Sequence, residues 1–241
     1  MLIRSRIKYK NLYLRDINWI DPKKLIYVSG LRFNKWQNYL RIIDGDWDLH
    51  EKRFEDTMFY KAFNQRFIEN QPWENTFYYQ WGLKLINEKN DERRNYFLRK
   101  WDDRFRRLEN LYFNIKRYGI KNKKDFLYRK DWFIRIEATA LLDNISVDIG
   151  RNGQLLTGHG KHRLSIAKIL NLPLVPVTII ARHKNWMDFR AKLIHHLKLH
   201  QNGKEKYDFL HPDLKKIPFK QGRIPYDILV DKIKEKRGIS L

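Results

Sequence analysis

Six consecutive residues, Gly158-His-Gly-Lys-His-Arg163, bring together groups able to hold an anion. Gly158 and Gly160 can let a backbone approach a ligand closely. Lys161 and Arg163 add full charges, and an arginine can grip a phosphate with two parallel hydrogen bonds. His162 can donate a hydrogen bond or move a proton near neutral pH. The apolar spacing of Leu164, Ile166, Ala167, Ile169 and Leu170 predicts a helix directly behind them. Its first N–H groups and positive dipole end favour a phosphate. A Walker-type loop is excluded. Gly153 and Gly158 have the required gap, but His159 stands at the lysine position and no Ser or Thr follows in register.

Three aspartates, Asp44, Asp46 and Asp48, alternate in a second stretch, with Glu55 at the twelfth position from Asp44. Leu49 at the sixth position, where a calcium loop needs glycine, argues against that assignment. Asp46 and Asp48 are read instead as candidates to hold Mg²⁺ on a phosphate substrate or to act as a general base. Arg182 and His183 follow the last apolar strand of the core, where such sheets present ligand groups. The candidate catalytic residues are therefore Asp46, Asp48 and His162. The candidate nucleotide-binding residues are Gly158, Gly160, Lys161, His162, Arg163, Arg182 and His183. His196 and His200 have i,i+4 spacing, but no glutamate lies between them, so the zinc-protease pattern is absent and a surface helix is expected.

The elements that must place these residues are partly legible. Ile145, Val147 and Ile149 alternate with Ser146 and Asp148, which predicts a strand. Arg151-Asn-Gly153 signals a hairpin turn, and residues 154–157 return. Asn171 ends the following helix, and residues 175–180 make an apolar strand before a helix over 184–199. Upstream, helices are predicted over 74–87 and 91–118, the second with Phe97, Trp101, Phe105, Leu108, Tyr112 and Ile115 on one face. Residues 1–40 read as irregular with short strands or turns, and 121–130 as a polar connector. Residues 132–136 read as a possible strand and 226–237 as a basic helix. No internal repeat is visible. The expectation is an α+β protein with an aromatic-rich, mostly helical region over 1–130 and a core with C-terminal helices over 131–241.

The segment from Ile145 to Ile180 resembles the ParB/sulfiredoxin superfamily. The matching pieces are Gly160-Lys-His-Arg-Leu164, Ile166-Ala-Lys168 and Val175-Pro-Val177. The resemblance implies a small mixed sheet-and-helix core whose glycine-plus-basic loop holds nucleotide phosphates. ATP or CTP with Mg²⁺ is the implied cofactor, and phosphoryl transfer or nucleotide hydrolysis the implied activity. Sulfiredoxin chemistry is not expected, because the chain has no cysteine. A ParB-type partitioning role lacks a helix-turn-helix segment downstream.

Charge supplies a competing reading. Fifty basic against 28 acidic residues give a net charge of +22, a field that attracts DNA, RNA or another polyanion. A non-enzymatic nucleic-acid-binding protein is the alternative function. The absence of cysteine also excludes disulfides and cysteine-ligated zinc. With no visible signal peptide and no apolar run near membrane-spanning length, a cytoplasmic location is expected.

Overall fold

The computed structural model describes residues 17–31, 41–88, 91–120, 144–199 and 211–214. Its centre is a mixed six-stranded sheet, which with the helices around it makes an α+β fold. The strands are β1 (Ile17–Ile20), β2 (Tyr27–Val28), β3 (Arg41–Ile43), β4 (Ile145–Ile149), β5 (Leu155–Thr157) and β6 (Val175–His183). Their order is β1-β6-β4-β5-β2, with β3 also paired to β6. β4 and β6 are parallel, and β4 and β5 form the antiparallel hairpin expected around Arg151-Asn-Gly153. β6 runs three residues beyond the predicted strand, to His183, because β3 pairs in parallel with Ala181, Arg182 and His183. The sheet thus draws strands from both halves of the chain.

Alternation along β4 does not mean one wet face. All five residues are buried. Ile145, Val147 and Ile149 enter a core with Val175, Val177 and Ile179 of β6. Leu164 and Ala167 join it from helix α4 (Lys161–Ile169), and Trp186 and Met187 from helix α5 (Lys184–Leu199). Ser146 and Asp148 project to the other face and are buried there as well.

A helical layer packs behind α4. It consists of α1 (Met58–Phe67), α2 (Phe77–Asn87) and α3 (Asp91–Tyr118). Phe63, Trp73, Tyr78, Phe105, Leu108, Tyr112 and Ile115 form its core and enclose Ile166 of α4. α4 therefore serves two cores, one through Leu164 and Ala167 and the other through Ile166. α2 and α3 meet where Gly82 faces Trp101; a Cβ at Gly82 would lie 1.8 Å from the indole ring. Only glycine fits that crossing.

The chain does contain a short repeat, contrary to the sequence reading. Phe54-Glu-Asp-Thr57 and Trp73-Glu-Asn-Thr76 each form a short 3-10 turn that opens a helix. In both, the buried aromatic anchors the turn, and the threonine hydroxyl donates to its carbonyl at 2.7 Å. The same hydroxyl accepts the N–H three residues later, at 3.3 Å, from Tyr60 or Tyr79. Each threonine thus supplies an N-cap. The first copy starts α1, a helix that apolar periodicity alone did not reveal. The segments 121–130, 132–136 and 226–237, together with His200, lie outside the described residues.

Candidate functional site

The β4–β5 hairpin separates the predicted site residues into two groups. Gly158, Gly160, Lys161, His162 and Arg163 lie past the C-terminal end of β5, beside the N-terminal end of β4. Asp46, Asp48, Arg182 and His183 gather at the opposite end, around the hairpin turn and the end of β6. A five-residue strand at about 3.3 Å per residue spans roughly 16 Å. The structure does not bring the two groups together.

At the turn end, the residues serve the architecture. Asp48 is buried and accepts the Arg151 backbone N–H at 2.6 Å and its guanidinium at 2.9–3.0 Å. Burial pushes the Asp48 carboxyl up, but these bonds outweigh it and hold the pKa below the ordinary value. Exposed Asp46 takes the same guanidinium at 2.7 Å. Both carboxylates are therefore engaged by Arg151, and they do not fit a magnesium cradle or a base at the glycine loop. Among the described residues, no group of three or more His, Cys, Asp or Glu side chains is placed to hold a metal ion. His183 is also buried. Its Nδ1 accepts the Asn185 N–H at 3.0 Å, so its Nε2 donates to the Gly45 carbonyl at 2.8 Å. That bond fastens the aspartate turn to β6. Arg182 is 2% exposed and makes a forked contact with Asp213. Trp186 Nε1 donates to Asp213 at 2.9 Å, and Arg190 donates to its carbonyl at 3.1 Å. Burial alone would raise the Asp213 carboxyl, yet the Arg182 charge drives it well below the usual carboxylate range. Arg182 belongs to this buried cluster, not to the loop.

At the other end, the glycines have a different use from the one the sequence suggested. The Gly158 N–H donates to the Ser146 carbonyl at 2.9 Å, and the Ser146 N–H donates to the His159 carbonyl at 3.1 Å. The His159 N–H donates to Ser146 Oγ at 2.7 Å. The loop thus continues the pairing of β5 with β4, and these N–H groups are consumed by the sheet. A Cβ on Gly158 would lie 2.9 Å from Ser146 Oγ and 3.5 Å from Asp148 Oδ2. Gly160 has φ +79°, and its Cβ would approach Ile145 Cα to 2.8 Å. Both positions require glycine for contact with β4. Gly160 is also the N-cap of α4, and no side chain caps that helix.

Cations collect at this uncapped helix start. Lys161 lies half-buried with Nζ 5.5 Å from the Phe59 ring centre. Burial first, and then the Lys52 charge, lowers its pKa. Arg104 reaches in from α3, its guanidinium 5.5 Å from the Tyr78 ring and 5.7 Å from Trp101. Lys52, Lys161 and Arg104 have no carboxylate partner among the described residues. Arg163 occupies the same first turn, half-buried. His162 behaves differently from its neighbours. Its ring packs edge-on against Phe59 at 5.1 Å, with Phe63 and Tyr78 alongside. Burial, followed by the Arg104 and Lys161 charges, lowers its pKa to about 4. It is neutral at pH 7 and part of the helical core, so the proton-moving role expected near neutral pH does not suit it.

Several buried polar atoms around the loop have no hydrogen-bond partner. They are the Asn144 amide O and N, Thr157 Oγ1, Asp148 Oδ2, His162 Nε2 and Arg104 Nε. Folded proteins rarely leave such groups unsatisfied; Arg182 Nη1 and Arg190 Nη1, in the cluster around Asp213, are likewise buried without a partner. Sequence reasoning overlooked Asn144, Asp148, Thr157, Lys52 and Arg104. Asp148 was visible only as the polar member of an alternating strand, and Arg104 as one of many arginines on an amphipathic helix.

No protein-family model matches the chain, and no solved structure matches it. Curated proteins do. Sixty residues are 38% identical to the phosphate import ATP-binding protein PstB 2 of Listeria monocytogenes and of Listeria innocua. The match covers 25% of this chain and 21% of each relative. The chain therefore spans about a fifth of the length of those relatives. Among the described residues, no helix is long and apolar enough to cross a membrane.

Proposed function

We propose that this protein binds ATP at the start of α4 and transfers or hydrolyses its terminal phosphate. The carrying observation is that Lys52, Lys161 and Arg104 converge on an uncapped helix N-terminus without a compensating carboxylate. Like charges brought together at partial burial repel one another, and an anion between them removes that cost. A triphosphate suits the place, because helix N–H groups and the dipole add to the side-chain charges. Arg163 supplies a further cation from the same turn. The unpartnered Asn144 and Thr157 side chains offer hydrogen bonds to the ligand's polar groups. ATP is preferred to CTP because the matched relatives carry an ATP-binding name.

The order of strand, hairpin, glycine loop, helix and returning parallel strand supports a ParB/sulfiredoxin-like core. The chemistry needs mostly positioning and charge neutralisation, which this arrangement supplies. Mg²⁺ belongs to this reading as the counter-ion of the nucleotide, and the cytoplasm as the location. Calorimetric titration with ATP tests it. Wild type should bind, and a Lys161→Ala, Arg104→Gln variant should bind at least 10-fold more weakly, since each charged hydrogen bond contributes about 1.5–3 kcal/mol. Equal affinity in the two proteins would refute the site.

A second reading has its own support. Phe77, Trp81 and Tyr96 stand exposed on α2 and α3, and Lys100 lies 5.5 Å from the Tyr96 ring. Aromatic side chains beside cations suit stacking on single-stranded DNA or RNA. Binding of an oligonucleotide that weakens steeply between low and moderate salt would favour this reading; salt-independent binding would oppose it.

A further inference from the structure

We propose that the cleft at the C-terminal end of α4 is a second ligand site, which takes a neutral polyhydroxylated molecule the size of one sugar ring. The cleft has a volume of about 190 Å³ and is lined by Pro22, Lys23, Glu55, Tyr60, Lys168 and Asn171. Drug-sized sites run to roughly 300–1,000 Å³, so this one suits a single ring and not a nucleotide. Lys161 opens α4 and Lys168 lies in its last turn, about 10 Å further along the helix axis. The cleft is therefore separate from the cations assigned to ATP, and the proposal does not rest on that reading.

Short, fixed elements hold the walls. Pro22 and Lys23 belong to a 3-10 turn after β1 that is capped by Asp21, whose carboxylate accepts the Lys23 N–H at 2.9 Å. Glu55 sits in the 3-10 turn that opens α1, and Tyr60 in the first turn of that helix. Asn171 follows α4 with φ +50°, and its N–H donates to the Lys168 carbonyl at 3.1 Å. Walls already held in this way lose little freedom when a ligand binds.

The polar groups select the ligand. Lys168 Nζ donates to Glu55 Oε1 at 2.7 Å, from side chains that are 7% and 35% exposed. Glu55 Oε2 has no hydrogen-bond partner. The Tyr60 hydroxyl, the Asn171 amide and the Lys23 ammonium make no hydrogen bond or ion pair with any described residue. Burial, followed by the Glu55 charge, raises the Tyr60 pKa, so this hydroxyl keeps its proton and can donate. Donors and acceptors so mixed match hydroxyl groups, which act as both. Two vicinal hydroxyls in a gauche arrangement fit the Lys168–Glu55 pair, one accepting from the ammonium while its neighbour donates to the carboxylate. Pro22 and Tyr60 add ring surface for the C–H face of a sugar. Charge argues against the other classes: the Glu55 carboxylate opposes an anion, and the two lysines oppose a cation.

An amide NMR titration of wild type, Glu55→Gln and Asn171→Gly tests this, with D-glucose, D-galactose and myo-inositol as probes and gluconate and choline as charged controls. At least one neutral polyol should bind wild type with a Kd of about 10 mM or tighter, and should shift the Asn171 side-chain amide and the Lys23 backbone amide. Glu55→Gln should weaken that binding at least about fivefold, since it removes a charged acceptor. Asn171→Gly should weaken it at least about threefold, the effect of one lost neutral hydrogen bond. This second variant keeps its fold, because φ +50° suits glycine, and so it keeps the proposal testable if Glu55→Gln does not fold. Four outcomes overturn the assignment: no polyol binds, the shifted signals lie away from the cleft, a folded variant binds as tightly as wild type, or a charged control binds more tightly than every neutral polyol. A wild type that binds no ATP removes the nucleotide reading and leaves this site standing. One that binds ATP and no polyol removes only this site.

Discussion

Arg151, Arg182 and Arg190 each meet a carboxylate, whereas Lys52, Lys161 and Arg104 meet none among the described residues. The first set lies around the hairpin turn and the end of β6. There, Asp48 and Asp213 meet guanidinium groups drawn from distant parts of the chain, and indole, imidazole and backbone groups join the networks. The second set lies around the start of α4, where polar atoms are buried without partners. Arg182 and Arg190 each keep one buried guanidinium nitrogen, Nη1, without a hydrogen-bond partner, so the two ends differ in their carboxylates and not in the satisfaction of every polar atom. Paired charges close the architecture at one end, and cations without a carboxylate partner gather at the other.

The contrast can be broken most forcefully at Asp213. Asp213→Ala would leave Arg182 and Arg190 buried without a carboxylate, and should lower unfolding free energy by about 3–5 kcal/mol. Urea denaturation measures this, and a loss below about 1 kcal/mol would mean that the cluster is not structurally important. Gly160→Ala comes next. Positive φ and the 2.8 Å approach to Ile145 Cα should together cost about 2 kcal/mol in the same assay, and would disturb the start of α4. Thr57→Ala and Thr76→Ala should each cost about 1 kcal/mol, and by similar amounts, because the two caps share one geometry. Markedly unequal losses would show that the repeat is one of sequence only.

Protonation of His162 gives a smaller effect with a definite sign. Its folded pKa, about 4, lies below the ordinary 6.5, so the unfolded chain binds the proton more readily. The neutral ring's contribution is fully present above pH 6.5 and is lost as pH falls toward 4. His211, also lowered to about 4 by burial, acts in the same direction, while Asp148 opposes them between about 6 and 3.8. The clean measurement is therefore the difference between wild type and His162→Phe. The variant should lose less stability between pH 7 and 4, and an identical loss would contradict the buried, neutral assignment. Lys161→Ala should do least. Without ligand it should change stability by no more than about 0.5 kcal/mol, since it removes a cation that has no carboxylate partner.

Local signals carried much of this structure into the sequence. Alternation marked β4, Arg151-Asn-Gly153 marked the hairpin, and aromatic spacing marked α3 with the observed bounds of 91 and 118. The Gly-His-Gly-Lys-His-Arg run marked a loop entering a helix. Pairings between distant residues were not legible. Asp48 meets Arg151 across 103 positions and Arg182 meets Asp213 across 31, and neither spacing follows from periodicity. For that reason Asp48, Arg182 and His183 looked like site residues when they are fastenings. α1 escaped because four aromatics in ten residues obscure a one-sided stripe, although Thr57 and the likeness of its surroundings to those of Thr76 could have revealed it. Arg104 and Asp148 were hidden by opposite circumstances. One was lost among many arginines, and the other sat in a strand whose two faces are both buried.

The most direct test of the central claim is the affinity of ATP for wild type compared with the Lys161→Ala, Arg104→Gln variant, measured by calorimetry at matched salt. Wild type should bind, and the variant should lose at least 10-fold, with both proteins folded. ATP binding of equal strength in the two, or none in wild type, would contradict it.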